Sequence, residues 1–121
     1  MPAPLVVVDV ANVIGSRPDG WWRDRAGAAA RLRDELAGAP VGDLTPPVDL
    51  LLVVEGRASG VGPVDGVDVV SAPGSGDDAI VDVVRAHAPD RQVIVVTADR
   101  GLRERVTALG ATTRGPRWLR P

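Results

Sequence analysis

The chain has no cysteine. Disulfides, thiol catalysis and cysteine-built zinc or iron–sulfur centres are therefore excluded. It has no lysine either, so all 14 basic residues are arginine. That removes the P-loop lysine, Schiff-base chemistry and the lysine of a phospho-receiver site. Phenylalanine and tyrosine are absent, and there is a single histidine. With abundant Ala, Val, Gly and Pro, this usage reflects a GC-rich coding bias, so arginine by itself is no signal for nucleic acid. No stretch is long and apolar enough to span a bilayer. Met1-Pro2-Ala3-Pro4 lacks the basic region that opens a signal peptide. A cytoplasmic protein without a membrane partner is expected.

What is present fits one domain: 121 residues, 45% of them hydrophobic and 25% charged. The net charge of −2 hides an asymmetry. Residues 1–99 carry eight Arg against fifteen acids, net −7, whereas residues 100–121 carry six Arg against Glu104, net +5.

Leu5 to Val10 is a continuous β-branched run and reads as a strand buried on both faces. A loop from Gly15 to Gly20 follows, then a helix from Trp22 to Leu36 stopped by Gly38 and Pro40. Val48 to Glu55 is a second buried strand. Gly56 to Gly66 is rich in glycine, contains Pro63, has too few residues for a crossover helix and reads as a loop. Val67 to Ser71 is a short strand, and a helix capped by Asp77 runs to about Ala88 before Pro89. Gln92 to Thr97 is the fourth strand, Asp99 to Leu109 a helix, and Ala111 to Thr113 a last short strand. Alternating strands and helices predict an α/β fold. It has three layers and a central, mainly parallel sheet of four or five strands. The domain is expected over residues 1–113, with residues 114–121 as a basic tail.

Ligands of such sheets bind beyond the carboxyl ends of the strands. Three segments deliver acids to that edge: Asp9 with Asn12 after the first strand, Asp77 and Asp78 after the third, and Asp99 after the fourth. Each acid alone has a plain explanation as a turn or helix cap, and an acidic pair also suits a helix dipole. Their coincidence on one edge points to a hard divalent cation, Mg²⁺ or Mn²⁺ rather than Zn²⁺, since oxygens are the donors on offer. Such an ion activates water and stabilises charge on phosphate. Asp82 is placed either to reach the cluster or to pair with Arg85. His87 reads as a helix-end cation.

The segments Val7-Val8-Asp9-Val10-Ala11-Asn12-Val13-Ile14-Gly15, Gly74-Ser75-Gly76-Asp77-Asp78-Ala79-Ile80 and Val95-Val96-Thr97-Ala98-Asp99-Arg100-Gly101-Leu102 together resemble the NYN branch of the PIN-like nuclease superfamily. The resemblance runs from about Leu5 to Ala111. It implies a PIN-like (Rossmann-like) fold and a metal-dependent ribonuclease leaving 5′-phosphate and 3′-hydroxyl ends. Asp9 matches the first metal-binding acid, Asn12 the polar residue beside phosphate and metal, Asp77 or Asp78 the middle acid, and Asp99 the late acid. Asp9, Asp78 and Asp99 are the expected metal ligands, with Asp77 assisting and Asn12 orienting water or phosphate. Where several relatives carry a further acid, this chain has Arg103.

Arg100 and Arg103 stand beside the proposed cluster as candidate phosphate grips. Of Trp21 and Trp22, one reads as packing on the first helix, and Trp22 is the candidate platform for an unpaired base. Trp118 reads equally as a dock for the tail or as a base-stacking arm. RNA is the expected substrate; a homodimer and a protein partner are left open. The competing reading is an inactive or weak PIN-like module that binds RNA or protein. A haloacid-dehalogenase-type phosphatase does not fit. It needs an acid where this chain has Ala11, and a lysine that the chain lacks.

Overall fold

A computed structural model describes residues 2–121. Five strands, β1 (Leu5–Asp9), β2 (Asp49–Val54), β3 (Val67–Ser71), β4 (Val93–Val96) and β5 (Thr112–Arg114), form one sheet. The order is β3-β2-β1-β4-β5 and every pairing is parallel. Val7 at the centre lies opposite Leu51 on one side and Val95 on the other. The expected α/β fold with a five-stranded parallel sheet is what the chain adopts.

The pleat sends alternate β1 side chains into two separate cores. Val6 and Val8 pack with Leu52, Val54, Ile94 and Val96 beneath α1 (Val10–Gly15) and α2 (Arg25–Leu36). Leu5 and Val7 pack with Val53, Val93 and Val95 beneath α3 (Gly76–His87) and α4 (Arg100–Ala108). Both faces of the central strands are thus buried, which is why they read as unbroken apolar runs.

Three local outcomes differ from expectation. The first strand stops at Asp9, and residues read as strand end and loop form α1. Its Val10, Val13 and Ile14 follow helical spacing and are all buried, so packing overrides their β-propensity. The next helix begins at Arg25, capped by the Asp24 carboxylate, which accepts from the Gly27 amide at 2.9 Å. Trp21–Arg23 form a separate 3-10 turn. Ser75, not Asp77, caps α3: its hydroxyl accepts from the Asp78 amide at 3.3 Å. Asp77 is thereby released from a capping duty.

The C-terminal residues fold back onto the body. β5 extends to Arg114, one residue past the expected boundary, and Pro116–Trp118 form a 3-10 turn. The Trp118 indole N–H donates to Asp43 at 3.0 Å, and its ring lies against Gly42 so closely that a Cβ there would clash. Arg120 pairs with Glu35 at 3.1 Å. Of the two readings of Trp118, the dock is the one adopted. No helix is long and apolar enough to cross a membrane among the described residues.

Candidate active site

The winding of the sheet reverses at β1. From β1 the chain builds β2 and β3 to one side, then crosses over α3 to place β4 on the other. The carboxyl ends of β1 and β4 therefore lie side by side at the switch point. Asp9 ends β1, and Thr97 follows β4 directly. Both are buried, at 6% and 0% exposure, and they are the only polar side chains so buried among the described residues.

Their contacts form one connected network. The Thr97 hydroxyl donates to Asp9 Oδ2 at 2.9 Å and accepts from the Asp99 amide at 3.1 Å. The Asn12 amide donates to Asp9 Oδ1 at 3.4 Å, while Asn12 Oδ1 accepts from the Ala98 amide at 2.8 Å. Asn12 thus ties the start of α1 to the turn after β4. Its side-chain NH₂ remains as a donor at this edge. Asp99 caps α4, Oδ1 accepting from the Leu102 amide at 2.8 Å, which leaves its second oxygen outside the cap.

Burial pushes the Asp9 carboxyl up to about 6. The bonds from Thr97 and Asn12 oppose the shift, and the charges of Asp77 and Glu55 add to it. Asp77 is also raised, by burial first and then by Asp99 and Glu55; Arg105 opposes the shift and Asp78 adds a smaller push. Asp9, Asp77, Asp99 and Glu55 therefore share one electrostatic neighbourhood. Asp78 is turned elsewhere. Its side chain is 71% exposed and pairs with Arg105 at 3.0 Å. The expectation that Asp78 rather than Asp77 faces the cluster is corrected on this point: α3 starts two residues earlier than a cap at Asp77 would require.

Glu55 was not singled out from the sequence. It follows β2 at the same edge, and its Oε2 accepts from the Gly76 amide at 2.5 Å, so it fastens the start of α3 to the end of β2. An acid at the carboxyl end of a buried strand, as with Asp9, was the signal that could have found it. Asp82 takes the salt-bridge alternative, pairing with Arg85 at 3.2 Å.

The expected substrate contacts divide. Arg100 is exposed at the first residue of α4. Arg103 is instead drawn inward, its Nε donating to the Thr97 carbonyl at 2.8 Å, and serves as a strut under the network. Trp22 is 50% exposed and meets Trp21 edge-on at 5.9 Å, but it is Trp21 that lines the cavity beside Glu55. A wider groove of about 800 Å³ opens next to Ala98 and is lined by Arg17, Arg117 and Arg120.

Carboxylate and amide oxygens are the donor type that a hard divalent cation takes. No three acidic or imidazole side chains converge into a coordination shell among the described residues.

These features define an α/β domain with a carboxylate-bearing switch point. No protein-family model and no curated protein matches the chain. The same fold occurs in Rae1 (YacP) from Bacillus subtilis. A tryptophan-to-leucine mutant of that protein superposes with a TM-score of 0.77 at 20% identity, covering 96% of this chain and 72% of that one. A second Rae1 crystal structure gives 0.68 at 20% identity, with 98% and 71% covered. This likeness establishes the fold.

Proposed function

We propose that this chain is a divalent-cation-dependent ribonuclease of the NYN, PIN-like class. The observation that carries the reading is the buried Asp9–Thr97 pair at the switch point, with Asp77 and Asp99 delivered beside it by separate helices. Asp9, Asp77 and Asp99 would hold Mg²⁺ or Mn²⁺, with Glu55 flanking them. Such a cation would supply a more acidic water and charge stabilisation at the phosphate.

The remaining work falls to side chains of the chain itself. Thr97 and Asn12 hold the Asp9 carboxylate in one orientation, so little reorganisation is needed on binding. Asn12 keeps its side-chain NH₂ for a phosphate oxygen. Arg17 and Arg117 line a groove that fits the RNA backbone, and Arg100 extends that positive rim. The acidic body repels a polyanion elsewhere, so strand contact is confined to this side.

The test is cleavage of end-labelled single-stranded RNA with Mn²⁺, with and without EDTA, by the wild type and by Asp9→Asn. Cation-dependent cleavage lost in the variant supports the reading; cleavage that survives EDTA, or that Asp9→Asn retains in full, overturns it. Arg103 at the further acid position favours a second reading, a non-cleaving RNA-binding module. RNA binding with no cleavage at any Mn²⁺ concentration would select it.

A further inference from the structure

Beside the carboxylate edge lies a cavity of about 280 Å³ that hydrolysis does not use. Val10, Ile14 and Ala58 give it an apolar lining, and Trp21, Arg25 and Glu55 give it its polar and aromatic chemistry. The volume falls just under the roughly 300–1,000 Å³ typical of drug-sized ligands, which suits a single flat ring system. Trp21 is held in place, with the Arg25 guanidinium 5.5 Å over its ring and Trp22 edge-on at 5.9 Å. Glu55 is oriented by the Gly76 amide. Arg25 and Glu55 line the same cavity, yet they form no ion pair with each other. A guanidinium and a carboxylate that line one cavity with an indole, and are not paired with each other, are available to acceptors and donors of one ligand.

We propose that this cavity takes one nucleobase of the RNA strand, and that it selects guanine. Guanine presents two adjacent donors, N1–H and N2–H₂, that a carboxylate accepts together. Its O6 and N7 are acceptors that suit a guanidinium. Adenine, cytosine and uracil lack the adjacent donor pair. The base would enter against the indole of Trp21, as unpaired bases do on aromatic side chains. Its position next to a scissile phosphate rests on the nuclease reading; its chemistry rests on the cavity alone.

The experiment is equilibrium dialysis of the four 5′-nucleoside monophosphates against the protein in EDTA, so that cation chemistry plays no part. GMP is expected to bind roughly tenfold or more tightly than AMP, CMP or UMP, the size of a bidentate discrimination. Glu55→Gln, which turns one acceptor oxygen into a donor, should remove that preference. Gly74→Leu adds bulk at a lining position whose Cβ meets nothing within 4 Å, so the fold should tolerate it and GMP binding should fall at least tenfold. Equal affinity for all four nucleotides overturns the proposal. So does absence of GMP binding at millimolar concentration, or undiminished binding in a Gly74→Leu variant with wild-type circular dichroism. Guanine-selective binding without cation-dependent cleavage would keep the cavity and overturn the nuclease reading; cleavage with no base preference would do the reverse.

Discussion

Replacing Asp9 by asparagine should stabilise the protein while removing the proposed nuclease activity. The Asp9 carboxyl is 6% exposed and is pushed from 3.8 up to about 6, burial being the main cause. A raised folded-state value means that the folded chain holds this proton more tightly than the unfolded chain. Stability is therefore full below the unfolded value and is lost as pH rises towards 6. At 1.36 kcal/mol per unit, the charged carboxylate costs about 3 kcal/mol at pH 8. Asparagine keeps the size and the acceptor for the Asn12 amide. It loses one acceptor for the Thr97 hydroxyl, which costs about 1 kcal/mol. The net expectation at pH 8 without metal is a gain of about 2 kcal/mol, a rise in Tm of about 8 °C for a domain of this size. Near pH 4 the gain should give way to a deficit of about 1 kcal/mol, because the wild-type carboxyl is then neutral in the folded state and only the lost Thr97 acceptor counts. Thermal melts of both proteins in EDTA, at intervals from pH 4 to pH 8, give the difference directly. A variant that is less stable than wild type by the same margin at every pH would refute the reasoning, and Asp9 would be a structural acceptor only.

Four further outcomes follow from the same geometry. Asp77→Asn should lower cleavage by roughly 100-fold or more, whereas Asp78→Asn, which loses only an exposed pair with Arg105, should stay within about threefold; side-by-side rates on labelled RNA check the order. Asp99→Asn keeps an α4 cap and should leave the metal-free Tm nearly unchanged. It should also erase most of the Mn²⁺-induced rise, which in the wild type is about 2.7 kcal/mol at one hundred times the dissociation constant. Thr97→Val removes a bond that holds Asp9 down, so Mn²⁺ affinity measured against pH should need a higher pH to reach its plateau. Arg117→Ala should weaken RNA binding equally for all sequences and flatten the logarithmic salt slope by about 1, as read by fluorescence anisotropy.

The sheet and its helices were legible because burial on both faces leaves unbroken β-branched runs such as Val6-Val7-Val8 and Val93 to Val96. Strand order was not, since nothing local to β4 records that it lies beside β1 rather than β3. Helix α1 was hidden because Val10, Val13 and Ile14 carry β-propensity, and only their fit under the sheet makes them helical. At the site, Asp9, Asn12 and Asp99 announce themselves by following strands. The choice between Asp77 and Asp78 turns on helix phase, fixed by the Ser75 cap and by Arg105 more than twenty residues on. Arg103 and Glu55 illustrate the same limit. Each acts through a backbone group, Thr97 O and Gly76 N, whose proximity exists only in the folded chain.

The central claim, that the edge formed by Asp9, Asp77 and Asp99 binds a divalent cation, is tested most directly by a Mn²⁺ binding isotherm. Free Mn²⁺ can be followed by electron paramagnetic resonance on the metal-free protein at pH 7.5, without RNA. Saturable Mn²⁺ binding that Asp9→Asn and Asp77→Asn each abolish, and that Asp78→Asn preserves, is the predicted result. Absence of saturable binding by the wild type, or binding that survives in Asp9→Asn, would contradict it.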